Sequence, residues 1–299
     1  MGVLRYPVPP VWDGRRTQDF LRQGCGLSWR MVVRLRNLPG GITVDGVTRR
    51  TIDPVRAGET VLLTLPDDNV RIEAVELPLT VVYEDEHLLV ADKPPFLAVH
   101  PSAGKPEPTL ANAVVAHWEK QGTPCSFRPV NRLDRNTSGL LLAAKNAHVT
   151  YALTRKPEKE YLAIVHGAVT EAGVIDRPIR IREGSIIARE VGEGGKESLT
   201  RYWPLATDGT ITLLRVVIET GRTHQIRVHM SSVGHPLVGD TLYGDEAGDG
   251  ILDRHALHCA RMRFDHPITG ESLSLSAPLP ADMRAVLENR QIPIPEEYI

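Results

Sequence analysis

The sequence predicts an α+β protein, with a mixed, mainly antiparallel β-sheet surrounded by helices and a small extra domain at the N-terminus. Apolar runs of strand length dominate the chain after Val81, and the helical patterns between them are too few for regular β-α alternation. The stretch over residues 66–80 is acidic and is flanked by proline, which is typical of a connection between domains. We therefore predict a first domain over residues 1–70, a linker over 71–80 and a second domain over 81–299.

The first domain has the pattern of two short helices followed by strands. TQDFLRQ begins at a capping residue, Thr17, and SWRMVVRLRN begins at another, Ser28, with its apolar side chains on one face. Residues 40–66 are predicted to contain short strands separated by glycine-containing turns. This order resembles a degenerate alpha-L fold, a small RNA-binding domain that precedes many RNA-modifying enzymes.

Charge is distributed unevenly along the chain. The net charge is −2, but residues 1–65 hold ten arginines and no lysine against five acidic residues. A basic first domain on a mildly acidic body fits contact with RNA. A basic face that meets only solvent has the same composition, and charge alone does not separate the two.

The second domain is predicted to consist of strands with three helices between or after them. VVYEDEHLLVADKP contains two strands around an acidic turn, and four further segments each contain one: LLLAAKN, EKEYLAIVHGAV, TITLLRVVIET and HALHCARMRFDHP. The alternation in EKEYLAIVHGAV predicts a half-buried strand. The predicted helices are TLANAVVAHWEK, THQIRVHMSSVG and ADMRAVLENR, of which the second is capped at Thr223 and ended by Gly234.

Composition excludes several classes of protein. The chain of 299 residues is 41% hydrophobic and 24% charged, as in ordinary globular proteins. Its cysteines, Cys25, Cys125 and Cys259, are far apart and lack companion ligands, so we expect no disulfide framework, no metal site and a cytoplasmic location. There is no run of 18 apolar residues and no signal-peptide pattern at the start, so we expect no membrane association.

One acidic residue stands out in NRLDRNTSGLLLAAKN. Asp134 lies between Arg132 and Arg135, before a polar turn and a buried strand. Neighbouring positive charge favours an ionised carboxylate, which can act as a nucleophile or a base. An ion pair on a loop gives the same pattern and stays an alternative at this point.

Three other segments carry polar groups. In GRTHQIRVHMSSVGHPLVGDTLYG, Arg222 lies at the start of a predicted helix, where backbone N–H groups favour anions, and His224 and Arg227 follow. Lys93 and His100 flank the loop in VADKPPFLAVHPS. Tyr161 in KEYLAIVHG fits either the core or a platform on which a base stacks.

Together these four segments resemble the ordered motifs of the RluA-type pseudouridine synthases, in particular the RluD-like branch, over residues 75–290. The resemblance implies a pseudouridine synthase-type sheet and an enzyme that isomerises uridine in structured RNA, ribosomal or transfer, as a monomer without metal or cofactor. It implies Asp134 as the catalytic nucleophile, Arg222 as its partner and Tyr161 as the active-site tyrosine. Arg132 is expected to enter the gap that the flipped nucleotide leaves. The residues expected to contact RNA are Arg132, Arg135, Lys93, His100, His224 and Arg227.

The sequence departs from the family pattern at Asn131, where the family usually has histidine. Asparagine still donates and accepts hydrogen bonds but carries no charge. Attack on the ribose and a glycal-type elimination both remain open for Asp134. The rival functions are a catalytically silent RNA-binding protein and a hydrolase, which would need a second carboxylate; Asp240 is the candidate.

Overall fold

The computed structural model describes residues 3–65, 72–101, 107–123, 125–154, 156–244 and 248–299. The helices are α1 (Thr17–Asp19), α2 (Trp29–Arg36), α3 (Leu110–Lys120), α4 (Ala147–Leu153), α5 (Gln225–Ser232) and α6 (Ala281–Asn289). A π-helical turn, Phe20–Gly24, follows α1. The strands of the first domain are β1 (Val3–Pro7), β2 (Ile42–Val44), β3 (Val47–Thr48) and β4 (Thr60–Thr64).

The remaining strands belong to the second domain. In chain order they are β5 (Thr80–Glu84), β6 (Leu88–Lys93), β7 (Arg128–Pro129), β8 (Ser138–Ala144), β9 (Glu158–His166), β10 (Gly173–Asp176), β11 (Ile179–Ile181), β12 (Arg189–Val191), β13 (Leu199–Thr207), β14 (Ile211–Ile218), β15 (Leu257–Asp265) and β16 (Ser272–Ser276).

Residues 3–65 build an antiparallel sheet of order β1-β4-β2-β3 with its own core. Ser28 caps α2 as predicted, because its hydroxyl accepts from the backbone of Met31 at 3.2 Å. Thr17 does not cap a helix, since its hydroxyl donates instead to the backbone oxygen of Asp53. The predicted linker begins at residue 71. Residues 66–71 lie outside the described part of the chain, and residues 72–79 run without secondary structure to β5.

The large sheet has the order β10-β13-β14-β9-β15-β8-β6-β5, with β7 added beside β8 and β16 beside β15. Within the described residues, its pairs are antiparallel except β8 with β15. This architecture confirms the predicted α+β class. The pairing of β8 with β15 requires glycine at position 139 (φ +104°), where a Cβ atom would lie 2.3 Å from the backbone oxygen of Cys259.

Burial on both faces explains one error of the sequence analysis. We predicted a half-buried strand in residues 158–169, whereas β9 covers residues 158–166 and Tyr161–Val165 are all buried. The reason is that β9 lies in the middle of the sheet and is covered on both sides. We did not predict the hairpin of β11 and β12, which packs near α5.

The two domains are in contact. The hydroxyl of Tyr6 in β1 lies 2.7 Å from Nε2 of the buried His148 in α4. Arg34 of α2 is close enough to Arg128 of β7 to lower the pKa of Arg128 further, beyond the larger effect of burial. The basic helix α2 therefore neighbours the strand that leads to Asp134.

The longest helix that the structure describes, α3, has 11 residues. In the described part of the chain, no helix combines the length and apolarity needed to cross a membrane.

Candidate active site

A cavity of about 740 Å³ opens beside the loop that follows β7. Its walls come from that loop, from the start of β9, from the end of β14 and from the first turn of α5. Asp134, in the loop after β7, and Tyr161, in β9, both line it, although they lie 27 positions apart in the sequence. The fold thus brings together two of the residues singled out from the sequence.

Arg227 is the arginine that binds Asp134. Its Nη1 donates to Asp134 Oδ2 at 3.3 Å. Its other donors form a two-pronged pair with Asp240, from Nε to Oδ2 at 2.7 Å and from Nη2 to Oδ1 at 2.8 Å. The Tyr243 ring centre lies 4.9 Å from the guanidinium carbon. One cation is therefore fixed in place by a buried carboxylate and directed at a second carboxylate in the cavity.

Electrostatic interactions between Arg227 and its carboxylate partners favour the charged forms of Arg227 and Asp240. Burial acts to raise the pKa of Asp240, but the hydrogen bonds and charge of Arg227 outweigh it, so the pKa is lowered. Burial likewise opposes the charge of Arg227, yet Asp240 and Asp134 raise its pKa above the usual value. Asp240 also accepts from the backbone of Leu242 and Tyr243. Both oxygens of Asp240 are thus occupied by hydrogen bonds, and Asp240 is not a second free carboxylate. The two-carboxylate chemistry of a hydrolase therefore has no support here.

The turn after Asp134 is held by side chains from three other elements. Lys93 Nζ donates to the backbone oxygen of Arg135 at 3.0 Å and to two further carbonyls, at positions 94 and 97. Arg254 Nη1 donates to the backbone oxygen of Asn136 at 3.1 Å. The hydroxyls of Thr137 and Ser138 pair with His255 Nε2 and His258 Nδ1 at 2.8 and 3.0 Å. Four consecutive residues are thus fixed, and Asp134 is presented on a preorganised loop.

The side-chain amide of Asn131 makes two hydrogen bonds of the kind that a backbone amide makes in a β-ladder. Its Nδ2 donates to the oxygen of Leu140 at 3.1 Å, and its Oδ1 accepts from the N–H of Leu142 at 2.8 Å. Val130 still pairs with Leu142 through its backbone. The amide therefore continues the β7–β8 ladder for one more residue while the main chain turns towards Asp134, and it needs no charge to do so.

Tyr161 offers a neutral phenol to the cavity. It is 4% exposed. Burial, together with the neighbouring thiol of Cys259, raises its pKa well above 10. The side chain can thus stack on a ring or take part in a proton transfer as a hydroxyl, but not as a phenolate.

Two sequence-based expectations are wrong. Arg222 lines the cavity, but its Nε donates to the backbone oxygen of Glu197 at 3.0 Å, and the partner of Asp134 is Arg227. The physical reason is that α5 begins one residue later than predicted: Thr223 is not the cap, and His224 occupies that place with a left-handed backbone (φ 57°). Lys93 does not contact RNA at a surface, because it is fully buried and its ammonium group is enclosed by three carbonyls.

The other expected RNA contacts lie at different distances from the cavity. Arg132 and His224 line it. Arg135 is exposed at its edge and pairs with Glu107 at 3.0 Å. His100 is exposed outside the lining and packs its ring on Phe127, with 5.2 Å between the centroids.

Sequence reasoning missed the residues that hold the loop. Arg254 is 1% exposed and is bound to Asp282 by a two-pronged pair at 2.6 and 2.9 Å. Its sequence context, GILDRHALH, shows no motif, and a basic residue before a predicted strand is usually a surface residue. The only signal was the density of polar residues, His255 and His258 among them, at the start of an otherwise apolar strand.

Within the described residues, no group of three or more His, Cys, Asp or Glu side chains is arranged to hold a metal ion. The chemistry that these residues can perform themselves rests on one ionisable carboxylate, one fixed arginine and one buried phenol.

Comparisons with known proteins agree with the resemblance of the motifs. Residues 87–232 match the RNA pseudouridylate synthase family. The RNA pseudouridine synthase YjbO of Bacillus subtilis (strain 168) is 35% identical over 88% of this chain and 95% of its own length. The ribosomal large subunit pseudouridine synthase D of Vibrio vulnificus (strain CMCP6) is 38% identical over 87% of this chain and 88% of its own.

A solved structure has a similar fold. Human RNA pseudouridylate synthase domain containing 1 superposes with a TM-score of 0.56 and 26% identity, covering 72% of this chain and 95% of its own. Since curated relatives share more than a third of their residues with it over most of its length, the chain belongs to the RluA/RluD-type family of RNA pseudouridine synthases and is an isomerase that acts on uridine in RNA.

Proposed function

We propose that the enzyme modifies specific uridines of ribosomal RNA, with Asp134 as the catalytic carboxylate. The support for the substrate is the similarity to the Vibrio vulnificus enzyme, whose name specifies the large ribosomal subunit and which the chain matches over 88% of that protein's length. The observation that carries the catalytic assignment is Asp134 Oδ2 at 3.3 Å from Arg227 in the wall of a nucleotide-sized cavity. Transfer RNA is the alternative substrate.

The reaction requires the target uridine to leave its helix or loop and enter the cavity. The bond between C1′ of the ribose and N1 of uracil then breaks, the base turns, and a bond from C1′ to C5 forms. The proton on C5 is lost and N1 gains one, so the product is an isomer of the substrate. Asp134 acts at the ribose, as a nucleophile towards C1′ or as a base towards C2′, and both routes need the ionised carboxylate that Arg227 faces.

Three residues complete the proposed site. Tyr161 stacks on the uracil and, as a neutral phenol, relays the proton that leaves C5. Arg227 orients Asp134 and offsets its charge. Arg132, exposed on the rim two residues before Asp134, occupies the space from which the nucleotide was flipped.

The first domain is proposed as a second RNA contact. Helix α2 has exposed Arg30 and Arg36, and it lies near the strand that leads to the catalytic loop. Phosphate attracts such a surface irrespective of sequence. We propose a monomer that works in the cytoplasm without metal or cofactor, in keeping with cysteines that are all free.

Mapping of pseudouridine in ribosomal and transfer RNA tests the proposal, in cells with the gene, without it, and with the gene encoding Asp134→Asn. We expect one or more ribosomal pseudouridines to disappear on deletion, to return with the wild-type gene and to stay absent with Asp134→Asn. Loss confined to transfer RNA would overturn the substrate. Restoration by Asp134→Asn would overturn the assignment of Asp134 as the catalytic carboxylate.

A further inference from the structure

His224 occupies an unusual place at the start of α5. It is the residue before the first helical turn and has a left-handed backbone, with φ 57° and ψ 21°. Such a conformation costs energy for most residues with a side chain, and it is kept where neighbouring contacts require it. Here the ring is held between Tyr243, at 2.7 Å from Nδ1, and Asp134, at 3.9 Å from Nε2.

The hydrogen bonds of Tyr243 decide which ring nitrogen of His224 carries the proton. The Tyr243 oxygen accepts from the backbone N–H of Arg189 at 2.9 Å. The hydroxyl proton then needs an acceptor, and within the described residues the one in contact is Nδ1 of His224. If Nδ1 of His224 carried the proton, the hydroxyl proton of Tyr243 would be buried without a hydrogen-bond acceptor, which costs free energy. A neutral His224 therefore carries its proton on Nε2.

This tautomer directs an N–H group at the catalytic carboxylate. Nε2 of His224 and Nη1 of Arg227 approach the same atom, Asp134 Oδ2, from 3.9 and 3.3 Å. The other oxygen, Oδ1, has no hydrogen bond from the described residues. If both groups donate to Oδ2, the second oxygen is left to face the nucleotide.

We propose that His224 is a neutral hydrogen-bond donor that positions Asp134 in the RNA-bound enzyme, with its tautomer fixed by Tyr243. The proposal rests on the catalytic role of Asp134. The separation of 3.9 Å is too long for a hydrogen bond in the free enzyme, but such contacts commonly shorten when substrate closes the site. His224 is thus a positioning residue, and it acts through the carboxylate.

The surroundings of His224 keep the ring neutral. Burial lowers its pKa below 6.5, and the charges of Arg227 and Arg189 act in the same direction against the opposing carboxylates of Asp134 and Asp240. Protonation of Nδ1 would in addition break the bond that the Tyr243 hydroxyl donates. The donor on Nε2 is present without an added positive charge.

Two substitutions separate positioning from backbone structure. In His224→Gln the side-chain amide nitrogen falls near Nε2 and keeps the donor, whereas in His224→Asn the amide replaces only Nδ1. Asparagine is the better residue for a left-handed backbone, so it favours the local structure. We nevertheless expect His224→Asn to lower kcat by about 10- to 100-fold, and His224→Gln to stay at least tenfold more active than His224→Asn, with RNA affinity similar in both.

The tautomer is measured directly by long-range ¹H–¹⁵N NMR of the histidine-labelled protein, with His224 assigned from the signal lost in His224→Gln. We expect Nε2–H in the wild type and a mixture of tautomers in Tyr243→Phe. Nδ1–H in the wild type, or a His224→Asn enzyme as active as His224→Gln, would overturn the proposal. An active Asp134→Asn enzyme would instead overturn the proposed function, so the two failures are distinct.

Discussion

At the scale of single residues, the site depends on one arginine shared by two carboxylates. Arg227 binds buried Asp240 through two nitrogens and reaches Asp134 with a third. A planar guanidinium can make these three bonds at once, and a lysine ammonium cannot span them. Asp240, whose side chain is fully buried, therefore fixes the position of Arg227 beside Asp134.

Replacement of Arg227 by lysine is expected to lower kcat by about 100-fold or more, since Asp134 loses its partner while the buried charge of Asp240 remains partly paired. Arg222→Lys is the matched control in the same motif, and we expect it to change kcat by less than about threefold. Single-turnover rates of pseudouridine formation measure both. An equal loss in the two variants, or a larger one in Arg222→Lys, would contradict the pairing.

The sequence alone singled out Asp134 and Tyr161, which line one cavity, but not the arginine that pairs with Asp134. Arg222 and Arg227 stand in one motif, and the choice between them depends on where α5 begins. Thr223 has the side chain of a helix cap, whereas the structure starts the helix after a left-handed His224. Histidine is enriched in such a backbone conformation but adopts it too seldom for the sequence to reveal it. A shift of one residue in the helix start reorients every side chain near it.

At the scale of elements, helix α2 links the first domain to the active site. Its apolar face, Val32 and Leu35, is buried in the core of the first domain. Its exposed Arg34 lies near Arg128 of β7. The helix thus offers positive charge beside the strand that precedes the catalytic loop.

Removal of two of these charges tests the RNA contact. We expect Arg30→Gln with Arg36→Gln to weaken RNA binding and to reduce the slope of log K against log salt by about 0.7 to 0.9 per lost phosphate contact. Arg50→Gln is the control, since Arg50 belongs to the same domain but pairs with Asp53 at 2.8 Å. Filter-binding titrations at several salt concentrations measure the slopes, and identical slopes for the double variant and the wild type would exclude α2 from the interface.

Strands with continuous apolar runs could be predicted, and the hairpin near the cavity could not. β8 is buried along its whole length, and the continuous run of small and apolar residues in its sequence, SGLLLAA, predicts a buried strand. β11 and β12 are three residues each, and of these six residues Ile179 alone is buried, so the segments are too short for a recognisable strand pattern. Their pairing comes from contacts with Tyr243 and α5, which lie more than 30 positions away.

At the scale of the whole molecule, buried histidines join its parts. His148 in α4 connects to β1 through Tyr6, and His255 and His258 hold the turn that follows Asp134. Burial lowers the pKa of His148 and His258 to about 4 and that of His255 to about 3. The folded protein therefore keeps all three neutral, while the unfolded chain protonates them below about pH 6.5.

This difference sets the direction of the pH dependence. Between about pH 6.5 and 4 the unfolded state binds more protons, so stability falls as pH falls, by up to about 1.4 kcal/mol per pH unit for each histidine. Urea unfolding between pH 5 and 6.5 measures the slope. His148→Gln should reduce this slope by the contribution of about one bound proton. A slope unchanged by this substitution would contradict a neutral His148 in the folded protein.

The most direct measurement is pseudouridine formation by purified Asp134→Asn on its ribosomal RNA, with RNA affinity measured in parallel. Glu219→Gln is the control, because it removes one negative charge from the same cavity wall. We predict no detectable product from Asp134→Asn with RNA affinity within a few-fold of the wild type, and nearly full activity from Glu219→Gln. Product formation by Asp134→Asn at the wild-type rate would contradict the assignment of Asp134 as the catalytic carboxylate.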